Sequence, residues 1–213
     1  MQASTPSDTA SQALIALGAN LPSGAREPAE TLLESISLIS KGLGDRVAAS
    51  RLYRTPAFPP GAGPDYLNAA AGFRWSGGPE ALLTLLNQVE RALGRTRGAR
   101  WEARIIDLDL IAHGPDVRPD ARTQRHWAGL PLSLASVETP DTLILPHPRL
   151  TERSFVLVPL ADIAPDWCHP LTGLSVSEML MARPEAERAE ITPVAWPGAA
   201  APSPLSISPS GDT

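Results

Sequence analysis

Cysteine, lysine and long apolar runs are scarce in this sequence, and each absence excludes a class of site or protein. Cys168 is the single cysteine, which excludes an internal disulfide bond and a multi-cysteine metal site. Of the 18 basic residues only Lys41 is a lysine, and the formal net charge of −5 argues against a nucleic-acid binder that relies on bulk positive charge. No apolar run is long enough to cross a bilayer.

Several common sequence signatures are also missing. The first eleven residues lack the basic start and apolar centre of a signal peptide, so we expect a soluble cytoplasmic protein. The turn Gly18-Ala19-Asn20 matches neither GxxxxGK[ST] nor GxGxxG, so neither common phosphate loop is predicted. No paired histidine spacing predicts a zinc site; the histidines are His113, His126, His147 and His169.

Composition divides the chain into one domain and two tails. Residues 1–11 and 193–213 are rich in Ser, Pro, Ala and Gly, which predicts disordered tails around a domain at 12–192. Within the domain, residues 114–142 (the insertion) are rich in proline and lack periodicity. We expect this insertion to be either a mobile surface loop or a functional lid.

Apolar periodicity predicts an α/β sandwich with a mainly antiparallel sheet, because strands and helices alternate around a hairpin-like pair. Gly42 and Gly44 end the first helix, and Pro79 begins the second at a favourable position. The predicted strands are 12–17, 47–53, 66–75 and 104–112, and the predicted helices are 27–43, 79–93, 151–163 (interrupted by Pro159) and 175–182.

Two acids lie in the apolar stretch RIIDLDLIAHG. Residues i and i+2 of a strand face the same side, so Asp107 and Asp109 point the same way. Burial and mutual repulsion raise the pKa values of such a pair, and a divalent cation such as Mg²⁺ relieves both effects. The pair alone is equally typical of the solvated face of an edge strand.

Arginines precede this acid pair within a short window. Gly94 and Gly98 loosen the segment that carries Arg91, Arg95, Arg97, Arg100 and Arg104. Guanidinium groups beside two carboxylates suit a metal-bound polyphosphate, with the metal on one side and the arginines on the other. The alternative is a solvated helix end, where cations complement the dipole, and this is the better interpretation for Arg91.

A second unusual segment is YRTPAFPPGAGPDYLNAA, residues 53–70. Its proline-rich loop leads into a strand with Tyr66 and Asn68 on one face. An aromatic ring beside an amide can stack on a planar heterocycle and hydrogen-bond its edge. Taken alone, either residue is more typical of a structural role, as a core tyrosine or a turn-capping asparagine.

Six segments in order resemble the 6-hydroxymethyl-7,8-dihydropterin pyrophosphokinase family of folate biosynthesis. They are ALGANL (16–21), SRLYRTPAF (50–58), PDYLNAA (64–70), NQVERALGRTR (87–97), RWEARIIDLDLI (100–111) and LPHPRLTERSFVLVPLADIAP (145–165). The resemblance implies an α+β fold, a three-layer sandwich related to the ferredoxin-like arrangement. It also implies a diphosphokinase that transfers pyrophosphate from ATP to the pterin hydroxymethyl group, leaving AMP.

The same resemblance implies the roles of individual residues. Asp107 and Asp109 match the ligands of two Mg²⁺ ions, and Arg95 and Arg97 match catalytic groups on a closing loop. The pterin pocket is matched by Thr55, Pro56, Phe58, Tyr66, Asn68, Trp101 and Phe155. The ATP site is matched by Asn87, Glu90, Arg97, Trp101, Arg104, Leu110, His147 and Arg153. The resemblance implies that the substrates are the small molecules ATP and hydroxymethyl dihydropterin. We also expect a monomer that binds neither nucleic acid nor a membrane.

One departure and two alternatives stay open. Glu102 and Ala103 stand where the family usually has Gly-Pro, which alters the hinge of the closing loop and adds an anion. A metal-dependent nucleotidyltransferase or nuclease would use the same acid pair. A catalytically silent, nucleotide-binding ferredoxin-like module is the third possibility, and the general base of the reaction is not identified.

Overall fold

A computed structural model describes residues 10–44, 46–57, 63–95, 104–135 and 137–198. Several sequence predictions lie outside the described residues: those for Phe58, Arg97, Trp101, Glu102 and Ala103, the first nine residues, and the chain after 198. In the described part, no helix is both long and apolar enough to cross a membrane.

The described strands form one antiparallel sheet of six. The strands are β1 (Ser11–Ala19), β2 (Ala48–Ala49), β3 (Leu52–Thr55), β4 (Tyr66–Trp75), β5 (Asp107–His113) and β6 (Thr192–Val194). Their order is β5-β1-β4-β3-β6, with β2 also paired to β4. The long strand β1 therefore lies between β4 and β5, and β5 forms one edge.

Helices cover both faces of this sheet. They are α1 (Pro28–Leu43), α2 (Pro79–Ala92), α3 (Ala121–Ala128), α4 (Leu132–Ala135), α5 (Ser154–Ile163), α6 (Val176–Met181) and α7 (Glu185–Ala189), and a 3₁₀ turn spans Leu150–Glu152. Glycine in a left-handed conformation ends α1 at Gly44, where a side chain would be strained.

The first face of the sheet packs against α1 and α2. Alternate residues of β1 from Ala13 to Ala19 point into this core, as period-two side-chain direction requires. They meet the apolar stripe of α1 at Leu32, Ile36 and Ile39. Leu108 and Leu110 of β5 face the same core.

The second face of the sheet packs against α5 and α6. Leu14 of β1, Ala70 of β4 and Ile111 of β5 meet the apolar side chains of α5 there. The three layers confirm the predicted α+β sandwich with an antiparallel sheet.

Several element predictions were wrong in detail. The strand predicted at 47–53 is broken, because the Ser50 hydroxyl accepts the backbone N–H of Ala70 at 2.9 Å and interrupts the ladder. The helix predicted to be interrupted at Pro159 continues through it: α5 begins at Ser154, so the missing N–H affects only the carbonyl of its first turn.

The predicted insertion and C-terminal boundary also differ from the structure. Residues 114–142, in which the sequence showed no periodicity, contain α3 and α4, and Asp120 caps α3 through the N–H groups of Arg122 and Thr123. The folded part extends past 192, since β6 pairs with β3 and Trp196 donates to the Ser50 carbonyl at 3.0 Å.

Candidate active site

A cleft opens on the second face of the sheet, where α5 begins. The strand register places Asn68 beside Gly18, and Gly18 beside Asp107. In the next row Ala16 separates Ala70 from Asp109. Because paired residues share a face, small side chains form the floor between an amide and two carboxylates. The cleft is lined by Ala16, Leu17, Gly18, Asn68, Ala69, Asp107, Asp109, Phe155 and Val156.

Gly18 is the point of closest approach on this floor. A Cβ at Gly18 would lie 3.1 Å from Oδ1 of Asn68, which is tighter than ordinary van der Waals contact. The Asn68 amide is 6% exposed, and its Nδ2 donates to Oγ1 of Thr55 at 2.6 Å. Thr55 therefore fixes the rotamer of Asn68, and Gly18 leaves room for its carbonyl oxygen.

Arginines surround the two acids. Nη1 of Arg95 lies 2.9 Å from Oδ1 of Asp107, and Arg104 pairs with the other oxygen of the same carboxylate. Nη1 of Arg153 lies 3.5 Å from Oδ2 of Asp109. Burial, and then the neighbouring charge of Asp109, raise the pKa of Asp107. The predicted acid pair and three of the predicted arginines thus lie together.

Glu90 approaches the same arginine from α2. Its Oε1 accepts the backbone N–H of Leu108 at 2.7 Å and also pairs with Arg95. Burial raises the pKa of this carboxyl group. Glu90 therefore fastens Arg95 to the edge strand β5, so that Arg95 bridges Glu90 and Asp107.

Asn20 is a site residue that the sequence prediction did not include. Its Oδ1 accepts the N–H of Arg104 at 2.7 Å, and its Nδ2 donates to the carbonyl of Pro64 at 3.2 Å. Asn20 thus joins the segments that enter β4 and β5, on the two sides of the cleft. The stretch ALGANL contained the signal, since Asn20 ends β1 beside Gly18.

The start of α5 brings an aromatic ring and a cation to the cleft. Phe155 lines the cleft and is 41% exposed, which is high for a large apolar side chain. The guanidinium carbon of Arg153 lies 5.8 Å from the centre of its ring. Between them, buried Ser154 donates to Oε2 of Glu187 at 2.9 Å, a contact with α7 that sequence reasoning missed. Tyr66 shares the face of Asn68.

His147 lies on the outer edge of β5. Its backbone N–H donates to the carbonyl of Ile111 at 2.8 Å, and its Nδ1 accepts the N–H of Arg149 at 3.1 Å. Desolvation, followed by the charge of Arg153, lowers the pKa of His147 to about 3. The ring is therefore neutral near pH 7 with its hydrogen on Nε2, which leaves Nε2–H as a donor.

Three further predicted residues, Leu110, Asn87 and Pro56, are not among those that line the cleft. Leu110 is 4% exposed in the core on the first face, so only its backbone could contact a ligand on the second face. The Asn87 amide donates to the carbonyl of Leu83 at 2.9 Å, one turn back in α2. Pro56 is exposed just past the end of β3.

The donor set of the cleft fits Mg²⁺ shared with phosphates. Among the described residues, no group of three or more His, Cys, Asp or Glu side chains is placed to hold a metal ion. Mg²⁺ is nevertheless usually bound by only one or two carboxylates, while substrate phosphates and water supply its other ligands. Asp107 and Asp109 offer such a pair of carboxylates.

Solved structures support the fold. The wild-type HPPK-DHPS of Plasmodium falciparum superposes with a TM-score of 0.54, at 13% sequence identity over 83% of this chain and 45% of that one. The S436F/A437G/A613S triple mutant of the same protein gives a TM-score of 0.55 at 13% identity, over 83% of this chain and 45% of that one. At this identity the similarity shows the fold alone.

Sequence relatives support a closer relationship. A 2-amino-4-hydroxy-6-hydroxymethyldihydropteridine pyrophosphokinase of Synechocystis sp. is 36% identical over 148 residues, which are 70% of this chain but 62% of that protein. A protein of the same name from Methylorubrum extorquens is 35% identical over 73% of this chain and 84% of its own length. The family model described as 7,8-dihydro-6-hydroxymethylpterin-pyrophosphokinase matches residues 14–165. The chain therefore belongs to the 7,8-dihydro-6-hydroxymethylpterin-pyrophosphokinase family.

Proposed function

We propose that this protein transfers pyrophosphate from ATP to the hydroxymethyl group of 6-hydroxymethyl-7,8-dihydropterin, with Mg²⁺, leaving AMP and the pterin diphosphate. The observation that carries the proposal is one cleft with two chemically different ends. Asn68 lies at one end, Asp107 and Asp109 lie at the other, and only small side chains separate them. Such a cleft suits a planar heterocycle beside a metal-bound polyphosphate.

The pterin end is built for stacking and for edge recognition. Phe155 and Tyr66 offer aromatic faces, and the exposed ring of Phe155 is available to a ligand. Oδ1 of Asn68, with Nδ2 already bonded to Thr55, is left to accept from the amino or ring N–H groups of a pterin. Phe58, Pro56 and Trp101 complete the pocket in this proposal.

The nucleotide end is built for a polyanion. Arg95, Arg104 and Arg153 already face the carboxylates, and a bound polyphosphate would give their guanidinium groups a second partner. His147 contributes a neutral Nε2–H donor. Arg97, Trp101, Asn87 and the backbone of Leu110 are proposed as further ATP contacts. Glu90 acts by holding Arg95 rather than by touching the nucleotide.

Asp107 and Asp109 would hold the two Mg²⁺ ions. Bound Mg²⁺ polarises phosphate oxygens and lowers the pKa of a nearby hydroxyl group. The residues of the chain provide the positioning that phosphoryl-type transfer chiefly needs. Asn68 and the aromatic rings hold the pterin, and the arginines hold the phosphates and balance charge that develops during transfer.

The test is an assay of the purified protein with ATP, Mg²⁺ and the hydroxymethyl dihydropterin, with separation of the nucleotide products. We expect AMP in proportion to the pterin diphosphate. ADP would indicate an ordinary kinase. Nucleotide binding without turnover would indicate a silent binding module, and either result would contradict the proposal.

Two further predictions complete the proposal. We propose that the protein acts as a monomer in the cytoplasm on its small-molecule substrates. Light scattering of the purified protein measures the mass directly. A stable dimer with unchanged activity would contradict the monomer.

A further inference from the structure

The turn that carries His147 is held from outside the sheet. We name residues 145–149 (LPHPR) the histidine turn. Its first residue, Leu145, forms a backbone bridge with Arg118 of the insertion. The backbone N–H of Arg118 donates to the carbonyl of Leu145 at 2.9 Å, and the carbonyl of Arg118 accepts the N–H of Leu145 at 3.2 Å. Its last residue returns to the insertion, because Nη1 of Arg149 donates to the carbonyl of Leu130 at 2.8 Å.

A third contact comes from the middle of α3. Nε2 of Gln124 donates to the carbonyl of Pro146 at 3.2 Å, and both groups are buried. Gln124 is 3% exposed and is the buried residue of α3, whose other side chains are polar or partly exposed. A helix that buries an amide rather than an apolar stripe takes its position from that amide, because a buried amide left unpaired is costly.

The peptide group between Pro146 and His147 is therefore fixed at both ends. Its N–H donates to Ile111 of β5, and its C=O accepts from Gln124 of α3. A trans or cis peptide group is planar, so two bonds on opposite atoms define the orientation of the whole plane. The Cα of His147 is attached to that plane, and the ring is fixed further by the bond from Arg149 to Nδ1.

We infer that Gln124 is a positioning residue for the nucleotide site: through the Pro146 carbonyl it holds the histidine turn so that Nε2–H of His147 faces the bound ATP. The insertion is then a support for the nucleotide side of the cleft. This inference rests on the proposed function for the ligand, whereas the support itself rests on the contacts of Gln124, Arg118 and Arg149.

The test compares two methionine variants of α3. Gln124→Met keeps the length of the side chain and removes the donor, whereas Arg125→Met places the same side chain on the exposed side of the helix. We expect Gln124→Met to raise KM for ATP several-fold and to leave KM for the pterin unchanged. Arg125→Met should change neither constant. If Gln124→Met folds poorly, Gln124→Asn takes its place in the test. This variant keeps an amide that is too short to reach Pro146, and we expect the same selective rise in KM for ATP.

A spectroscopic measurement tests the support independently of turnover. Long-range ¹⁵N–¹H spectra of the full-length protein report which imidazole nitrogen carries hydrogen. We expect His147 to be neutral with its hydrogen on Nε2 at pH 7, and this signature to change in Gln124→Met but not in Arg125→Met.

The outcomes separate this inference from the proposed function. An unchanged His147 signature, or equal rises in both KM values, would overturn the role of Gln124 even in a fully active enzyme. A wild-type protein that forms no AMP would contradict the proposed function, while the His147 signature would still test the support.

Discussion

The two faces of the sheet differ in how completely helices cover them. On the first face, α1 and α2 bury Ile15, Leu17 and Ala19 along the whole of β1. On the second face, α5 and α6 bury Leu14, whereas Ala16 and Gly18 remain partly exposed. The cleft lies where the second layer ends, at the first turn of α5.

This difference explains the unusual stretch RIIDLDLI. Because side chains alternate along a strand, Leu108 and Leu110 point into the core on the first face, whereas Asp107 and Asp109 point to the cleft on the second face. In the proposed function, the same edge strand therefore serves stability on one face and chemistry on the other. Substitutions on β5 should consequently separate into two classes, according to the face from which a side chain is removed.

The largest expected effect is on activity, from a substitution on the second face of the sheet. Asp107→Asn keeps the size of the side chain and removes one charge of the pair, so that in the proposed function the bound Mg²⁺ loses a ligand. We expect AMP formation to fall by at least about 100-fold, the scale seen when one electrostatic group is removed from an active site. Product analysis with circular dichroism checks this, and near-normal turnover in a folded variant would refute the metal assignment.

The opposite face of the same strand should behave differently. Leu108→Ala empties part of the core beneath β5. We expect the free energy of unfolding to fall by about 2–5 kcal/mol, the usual cost of removing a buried leucine side chain. Urea denaturation measures this loss. The folded fraction should keep its KM values, and a selective loss of ATP affinity would contradict the separation of the two faces.

A smaller effect is expected at the floor of the cleft. Gly18→Ala places a methyl group 3.1 Å from Oδ1 of Asn68, so the amide or the strand must shift. We expect a several-fold weaker Kd for the pterin, with ATP binding less affected. Calorimetric titration with each ligand measures this. Ala16, one row away, offers the matched control: Ala16→Gly should leave Asn68 and pterin affinity unchanged.

The smallest expected effect is on the pH dependence of stability, through His147 at the edge of β5. The folded pKa of His147 is about 3, below the ordinary value of 6.5. As pH falls below about 6.5 the unfolded chain binds a proton that the folded protein does not, so stability decreases with acidity. Urea midpoints at pH 7 and pH 5 should therefore differ less in His147→Gln than in the wild type. Equal differences would show that His147 titrates normally.

Local signals predicted most of the sandwich. Tyr66–Trp75 is a strand with the predicted bounds, and the helix from Pro79 ends within two residues of its prediction. These elements follow from alternation and from proline at a helix start, which act between neighbours. The insertion could not be predicted, because α3 buries Gln124 rather than an apolar stripe, and its position depends on Pro146, 22 residues away.

The candidate site shows the same division. Motif order predicted the acid pair, Asn68, Phe155 and the arginines, and the structure brings the described ones around one cleft. Leu110 was assigned to the ATP site by the family resemblance, and its side chain enters the core on the first face. Asn20 was missed because its partners, Pro64 and Arg104, are 44 and 84 residues away.

By itself, the sequence determined the alternation of the strands, the amphipathic helices and the same-face acid pair, because these depend on backbone periodicity. The tertiary structure alone decided that the first turn of α5 leaves Gly18 partly uncovered. It also decided that Arg95 lies between Glu90 and Asp107, and that α3 holds the histidine turn. Those arrangements depend on hydrogen bonds and packing between residues far apart in the chain. No local pattern encodes which distant partner satisfies a buried polar group.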